Sequence, residues 1–353
     1  MYDYIIVGQG LAGSLLAYEL IKSDCKVLVI NNESQPSSAR VAAGIYNPVT
    51  GKHLAKTWLA DELYPFLKKF YRAIEEDLSV KFLHEANVYR PFATIEQQNY
   101  FLSQTVNHGL NDYITDDVDN QKYNHLIKND LGGLDTLSSG WVDLHTLLDA
   151  IRGFLIQKNA YLSANFDYDS LQISENQVVY EQLESRRIVF CEGYYAVNNP
   201  WFSWLPFNPV KGEVLNAEIE NYDIEEIVNQ GFFILPLGGG KVRIGATYVW
   251  HQLDWQTTED GKQFLLQKVD KLLKAPYKIT GQVAGIRPAT KDRRPIVGNH
   301  PTQKNVYVLN GLGTKGVSLA PYFVDKMVAY LEKDEVLMPE VNIERFYSLY
   351  FRC

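Results

Sequence analysis

The sequence predicts an α/β fold: a Rossmann-like nucleotide-binding domain intergrown with a second domain of mostly antiparallel β-sheet plus helices. Three observations carry this. An apolar strand at Tyr4–Val7 runs into a glycine-rich turn and then an amphipathic stretch. A second apolar strand, Lys26-Val-Leu-Val-Ile30, follows at the spacing of a βαβ unit. Further on, alternating strand patterns separated by glycine turns, such as Gly238-Gly-Gly240, mark a second sheet.

The turn itself, Gly8-Gln-Gly-Leu-Ala-Gly-Ser14, has G-x-G-x-x-G spacing. Gly8 permits a tight turn, Gly10 lets backbone approach a pyrophosphate, and Gly13 lets helix and strand pack closely. Leu11 and Ala12 supply the first N–H groups of the helix, whose positive dipole end favours an anion. An acid commonly ends the second strand and accepts ribose hydroxyls. Here the place holds Asn31, followed by Asn32 and Glu33, and an amide can still bond a hydroxyl.

Composition bounds the rest. A chain of 353 residues, 46% apolar and 22% charged, suits one large or two intergrown domains with a sizeable core. No apolar run is long enough to span a membrane, and Met1 leads directly into the first strand, so a cytoplasmic protein without a signal peptide is expected. The three cysteines, Cys25, Cys191 and Cys353, are scattered without metal spacing and read as reduced thiols. A formal net charge of −8 argues against a general polyanion binder.

The segment Ser37-Ser-Ala-Arg40-Val-Ala42-Ala43-Gly44 is rich in small residues and has neither helical nor strand period. Small side chains let backbone lie against a flat ring. Following the βαβ unit, it resembles the D-amino-acid oxidase superfamily of FAD enzymes, in which a segment ending in Ala-Ala-Gly runs beside the flavin ring. The resemblance implies an FAD-binding domain from residues 1–50, 138–211 and 281–353, and a substrate domain from 51–137 and 212–280.

Beyond it, an apolar stripe predicts an amphipathic helix from Thr57 to Leu78 with a kink at Pro65, and a further helix lies near Gln97 to Thr105. The polar run from Asn107 to Asn129 reads as a solvated excursion. Gly140-Trp-Val-Asp143 resembles the family's return to the FAD domain and opens a helix in which His145 is structural. A strand from Tyr161 to Phe166 comes next, then a hairpin-like pair at Leu171–Ile173 and Gln177–Tyr180. Arg187-Ile-Val-Phe-Cys-Glu-Gly193 follows, resembling a family strand whose closing glycine passes close to FAD. Strand patterns at Val210–Ala217, Phe232–Pro236 and Val242–Val249 build the second sheet, and the last resembles the strand lining the substrate site, with Tyr248 or Trp250 facing the flavin.

Ala284-Gly-Ile-Arg287-Pro-Ala-Thr-Lys-Asp292-Arg-Arg-Pro-Ile-Val-Gly298 resembles the motif whose arginine meets the substrate carboxylate in amino-acid and glycine oxidases. Arg287 is the matching residue, and a guanidinium grips a carboxylate through two parallel hydrogen bonds. Monomeric sarcosine oxidases attach flavin through a cysteine in this region. The aligned residue is Gly285, so FAD is expected to be held non-covalently.

Last, Asn310-Gly311-Leu-Gly313-Thr314-Lys315-Gly316-Val317 turns into a helix that, by the resemblance, points its amino end at the flavin pyrimidine, with Lys315 adding charge there. Together with Phe166 and Gly193, these residues complete the implied cofactor contacts, and Arg287, Lys315 and Tyr248 the implied catalytic set. The implied reaction is oxidation of the C–N bond of a small amino acid or carboxylate-bearing secondary amine by hydride transfer to flavin N5. Glycine oxidases carry another arginine where Thr314 stands. The stretches around Gly245–Tyr248 and Gly313–Pro321 look closer to the oxidase domain of the bifunctional enzyme that modifies the tRNA wobble uridine, so tRNA is an alternative substrate. A non-catalytic flavin-binding sensor is the alternative from another class. No metal site is expected.

Overall fold

The computed structural model describes residues 1–106 and 109–352. Cys353 and the first residues of the Asn107–Asn129 run lie outside them. Five strands form a parallel sheet in the order Tyr161–Ser163, Val27–Asn31, Tyr2–Val7, Leu183–Phe190 and Val306–Asn310. The strands Val178–Tyr180 and Leu171–Ile173 extend Leu183–Phe190 antiparallel, and Ile296–Asn299 pairs antiparallel with Val306–Asn310. Helices Leu11–Lys22, Leu144–Gln157 and Gly316–Lys333 cover one face, burying Leu15, Leu16, Leu147, Ile151, Phe323 and Met327. Such strands are apolar throughout because both faces are covered, which is why Tyr4–Val7 has no polar side.

A parallel sheet brings all its carboxyl ends to one edge. Here Gly8, Asn31, Gly193 and Gly311 each lie at or just after the end of a parallel strand, and Phe166 lies beyond the end of the fifth. Ligands of open α/β sheets bind at this edge. Gly13 allows the close packing: a Cβ there would stand 1.9 Å from the Gly8 carbonyl oxygen. Gly10 differs, since a Cβ on it would meet no protein atom within 4 Å.

The second sheet has eight strands, running from Tyr277–Arg287 through Val210–Ile219, Lys241–Gly245, Phe233–Gly238, Ile227–Asn229 and Val88–Pro91 to Gly133–Thr136 and Ile114–Thr115. Pairing is antiparallel except between Ile227–Asn229 and Val88–Pro91. Helix Glu259–Leu272 seals one face through Leu265, Val269 and Leu272, which pack on Leu215, Ile234 and Ile244. On the other face Leu235, Val88 and Ile227 pack with Phe233 against Ala43, Ile45 and Trp141 of the first lobe. The two lobes therefore meet where the small-residue segment lies.

Several expectations are corrected. The Asn107–Asn129 run is not a solvated excursion over its described length. Tyr123, Leu126 and Ile127 are buried in the second core, and Tyr89 donates to Asn120 and Asn129. Leu110, Tyr113 and Ile114 are buried in the first core as well, so apolar anchors at both ends fold the polar segment inward. The strand expected from Val242 to Val249 ends at Gly245, because Thr247 turns to bond the Glu213 backbone. Only an isolated bridge between Val249 and Lys211 continues it. The Tyr161 strand stops at Ser163, three residues short of Phe166. The long helix runs unbroken from Ala60 to Leu78 with Pro65 inside. The helix near Gln97 spans Ile95–Thr105, and the hairpin-like pair forms as expected.

Substituting the two glycines separates packing from cofactor contact. Gly13→Ala is expected to destabilise the protein by about 1–3 kcal/mol through the collision with Gly8. Gly10→Ala is expected to leave the apoprotein within about 0.5 kcal/mol of wild type while weakening FAD binding. Thermal melts of apoprotein and FAD titrations check both.

Candidate active site

The first turn of helix Leu11–Lys22 has no side-chain cap and no acidic residue, so its N–H groups face the open space beside Gly10. Those groups, with the dipole, make an anion cradle that fits a pyrophosphate. Asn31 braces the turn, its Oδ1 accepting from the Gln9 N–H at 2.9 Å. Gln9 itself is buried and donates to Ser14 Oγ and Leu148 O, a support that the G-x-G pattern does not reveal. The Asn31 amide donates to Tyr161 Oη at 3.4 Å, and Asn32 donates to Asn165. Glu33 accepts from Tyr161 at 2.9 Å and faces Arg152 at 3.5 Å.

Ser38–Val41 forms one helical turn in which Arg40 pairs with Asp149 at 2.6 Å. Arg243 from the second sheet donates to the Ala42 carbonyl at 3.2 Å. Gly44 has φ +71°, and a Cβ on it would lie 2.0 Å from the Val142 carbonyl. Ala42 and Ala43 are thus held from both lobes. Arg40 faces Asp149, not the cradle. Phe166 is engaged in an aromatic cluster, stacked on Tyr180 at 4.3 Å and edge-on to Phe190. Gly193 has φ +58° with open space around it, and its carbonyl accepts from Asn310.

Sequence reasoning passed over Glu192. It accepts from Tyr168 and Asn199, and burial pushes its carboxyl up to about 7. Its Cα would stand 3.4 Å from a Cβ on Gly8. His145 is exposed, and its backbone N–H donates to Asp143.

Arg287 ends the Tyr277–Arg287 strand opposite Val210. Its guanidinium lies over Gly212, where a Cβ would come within 2.1 Å of Nη2. A glycine inside a strand signals such close approach, and this one was legible in Val210-Lys-Gly-Glu213. Arg287 Nη1 donates to the Thr247 carbonyl at 3.3 Å, and the guanidinium stacks on Tyr248 at 4.5 Å. Burial draws it below the usual arginine range, with Tyr248 opposing. Among the described residues no carboxylate pairs with it. Asp292, the acid nearest in sequence, binds Arg345 at 3.0 Å instead. Tyr248 and Trp250 stack at 6.2 Å and are 53% and 52% exposed, so the ring on Arg287 is backed by a second, solvent-facing ring.

The Gly311–Gly316 turn adjoins this strand end. Gly313 donates to the Pro288 carbonyl at 3.1 Å, and Gly311 and Gly313 take φ of +74° and +56°. Thr314 is exposed, and Gly316 and Val317 begin a helix with no acid in its first turn. Lys315 turns inward, donating to Thr57 at 2.9 Å and Thr50 at 3.3 Å. Burial, then Arg294 and Arg293, pull its amine down to about 8. Val49–Thr50 and Ala55–Lys56 pair as a short hairpin beside these threonines, and Arg90 of the second sheet holds it through the Val49 and Gly51 carbonyls. Neither the threonines nor Arg90 stood out in the sequence, because each acts on a residue far away along the chain.

A family described as FAD dependent oxidoreductase (DAO) matches residues 3–331. The chain belongs to this family. It is an FAD-dependent oxidoreductase, and its cradle, turns and small-residue segment fit that cofactor. The chain is 23% identical over 91% of its length to a tRNA 5-methylaminomethyl-2-thiouridine biosynthesis bifunctional protein of Marinobacter nauticus, of which it spans 54%. It is 32% identical to a glycine oxidase of Bacillus subtilis over 38% of this chain and 36% of that one. It therefore spans about half or less of the length of these relatives. Among solved structures, a glycine oxidase of Bacillus cereus superposes with a TM-score of 0.79 at 21% identity, covering 95% of this chain and 96% of that one. Among the described residues no helix is long and apolar enough to cross a membrane, and no cluster of metal-ligating side chains occurs.

The depressed Lys315 amine fixes a pH dependence. Between about pH 8 and its ordinary value of 10.5 the unfolded apoprotein holds a proton that the folded one has released. Stability is therefore expected to rise with pH across that window. Lys315→Met should remove this rise, as thermal midpoints of both apoproteins at about pH 7 and about pH 10 would show.

Proposed function

We propose that the protein oxidises the C–N bond of an amino acid or amine that carries a carboxylate. One observation carries the reading: Arg287 is a half-buried, partly desolvated cation, permanently charged, with no carboxylate partner among the described residues. A buried charge left unpaired is costly, so the site is built for an anion supplied by the substrate. The Thr247 carbonyl occupies one guanidinium N–H and Tyr248 one face, leaving the remaining donors for a carboxylate fork.

In this reading Gly8, Gly10, Leu11, Ala12 and Gly13 hold the FAD pyrophosphate, and Asn31 and Asn32 lie toward the ribose. Arg40 steadies the Ala42–Gly44 segment that runs along the ring, and Phe166 and Gly193 border the nucleotide. Gly311 to Val317 present the helix terminus. Bound FAD supplies the hydride acceptor. Arg287 fixes the carboxylate, so that the carbon beside nitrogen has one orientation. Tyr248 covers the guanidinium and excludes water from that side. Lys315 brings a titratable amine to the helix terminus.

The second reading is an oxidase acting on the carboxymethylaminomethyl group of a tRNA wobble uridine. The exposed Tyr248–Trp250 pair favours it, since stacked aromatics beside a carboxylate site suit a large planar substituent on nitrogen. The sensor reading leaves Arg287 without a ligand.

Arg287→Lys is expected to keep the visible flavin spectrum and raise the substrate dissociation constant. Arg287→Ala should lower amine oxidation by about 10²-fold or more. Anaerobic mixing with glycine, sarcosine, proline, D-amino acids and tRNA, followed by flavin bleaching, identifies the substrate class. Equal perturbation of the flavin spectrum by acetate in wild type and Arg287→Ala would overturn the carboxylate role.

A further inference from the structure

The Arg287 site is completed by a segment, residues 246–258, that forms no regular structure and is nonetheless pinned at three places. At the first, Thr247 exchanges bonds with Glu213: its Oγ1 accepts from the Glu213 N–H at 2.8 Å, and its own N–H reaches the Glu213 carbonyl at 3.2 Å. At the second, Val249 and Lys211 exchange both backbone hydrogen bonds, at 2.9 and 3.0 Å. At the third, the Glu213 carboxylate accepts from the Thr258 N–H and hydroxyl, closing the segment onto helix Glu259–Leu272.

Between the last two lies an ion pair with no part in the chemistry described so far. The Lys211 side chain is 1% exposed and reaches Asp254 Oδ1 at 2.5 Å. Asp254 gathers the turn around itself, accepting from Gln252 Nε2 at 2.9 Å and the Gln256 N–H at 3.2 Å, and these contacts hold its carboxyl below the usual range. The same turn touches the cofactor side: Tyr194 Oη donates to the Leu253 carbonyl at 3.4 Å, and Trp255 stacks on Tyr195. A buried lysine is expensive to desolvate, and an apolar side chain would fill the place more simply. What the pair adds is a fixed register. Lys211 holds Val249 by its backbone and Asp254 by its side chain, so Trp250, which stacks on Tyr248 at 6.2 Å, sits on a loop closed at both ends by one residue.

We propose that Lys211 and Asp254 are positioning residues for the carboxylate site, acting through the 249–254 loop and its Trp250 to hold Tyr248 on Arg287. The inference rests on the reading that Arg287 binds a substrate carboxylate. Releasing Asp254 frees the loop at one end, so Trp250 no longer backs the Tyr248 ring and that ring can swing off the guanidinium.

Acetate titration of the FAD-loaded protein, followed by the visible flavin spectrum, tests this. Asp254 is partly exposed, so Asp254→Asn is expected to fold and retain FAD while weakening acetate about tenfold. Asp254→Glu keeps the ion pair and is expected to stay within about twofold of wild type. A purely structural pair would lower the melting temperature and leave the acetate constant alone. Acetate binding by Asp254→Asn within about twofold of wild type, or equal losses in Asp254→Asn and Asp254→Glu, would overturn the inference. If FAD-loaded wild type gives no acetate response, the carboxylate reading itself fails and this inference with it.

Discussion

Arg287 lies so close to Gly212 that no other residue fits beneath it, and Tyr248 stacks on its guanidinium. Breaking a buried ion pair by removing one member costs about 3–5 kcal/mol. Here no second member occurs among the described residues. Much of the second lobe can be understood as support for that exposed valence. Val210–Ile219 supplies the glycine bed, Glu213 anchors Thr247, and Thr247 orients the guanidinium.

The first lobe answers a complementary demand. Its cradle needs unpaired N–H groups at a helix start, and these exist because Gly10 offers no cap and Gly13 lets the helix sit against Gly8. Asn31 and Gln9 then hold the turn rigid without filling it. The two demands meet at the interface, where Arg243 grips the Ala42 carbonyl and Arg90 grips the hairpin that receives Lys315. Both arginines reach from the second sheet to backbone outside it, so the Ala42 segment and the Val49 backbone are held from that sheet.

Charge is distributed to the same end. Lys315 and Arg287 are both desolvated cations, one titrating near neutrality and the other permanently charged. Glu192 beside the Gly8 turn is a desolvated acid whose carboxyl is pushed up toward neutrality, which limits its negative charge near the cradle. Desolvation strengthens each interaction with a charged ligand, at the cost of stability while the ligand is away.

By itself the sequence determined the βαβ unit, the glycine turns and Arg287, because each is local: apolar period, φ preference and motif spacing reside in a few consecutive residues. It also carried the hint of Gly212. The tertiary structure alone decided that Asp292 turns away to Arg345, that Lys315 points at Thr50 and Thr57, and that Tyr248 leaves its strand at Gly245 to cover Arg287. It likewise decided that Tyr123, Leu126 and Ile127 draw a polar run into the core. These depend on contacts between residues tens to hundreds of positions apart. Which partner a charge or an amide finds is settled by packing, and no local pattern encodes it.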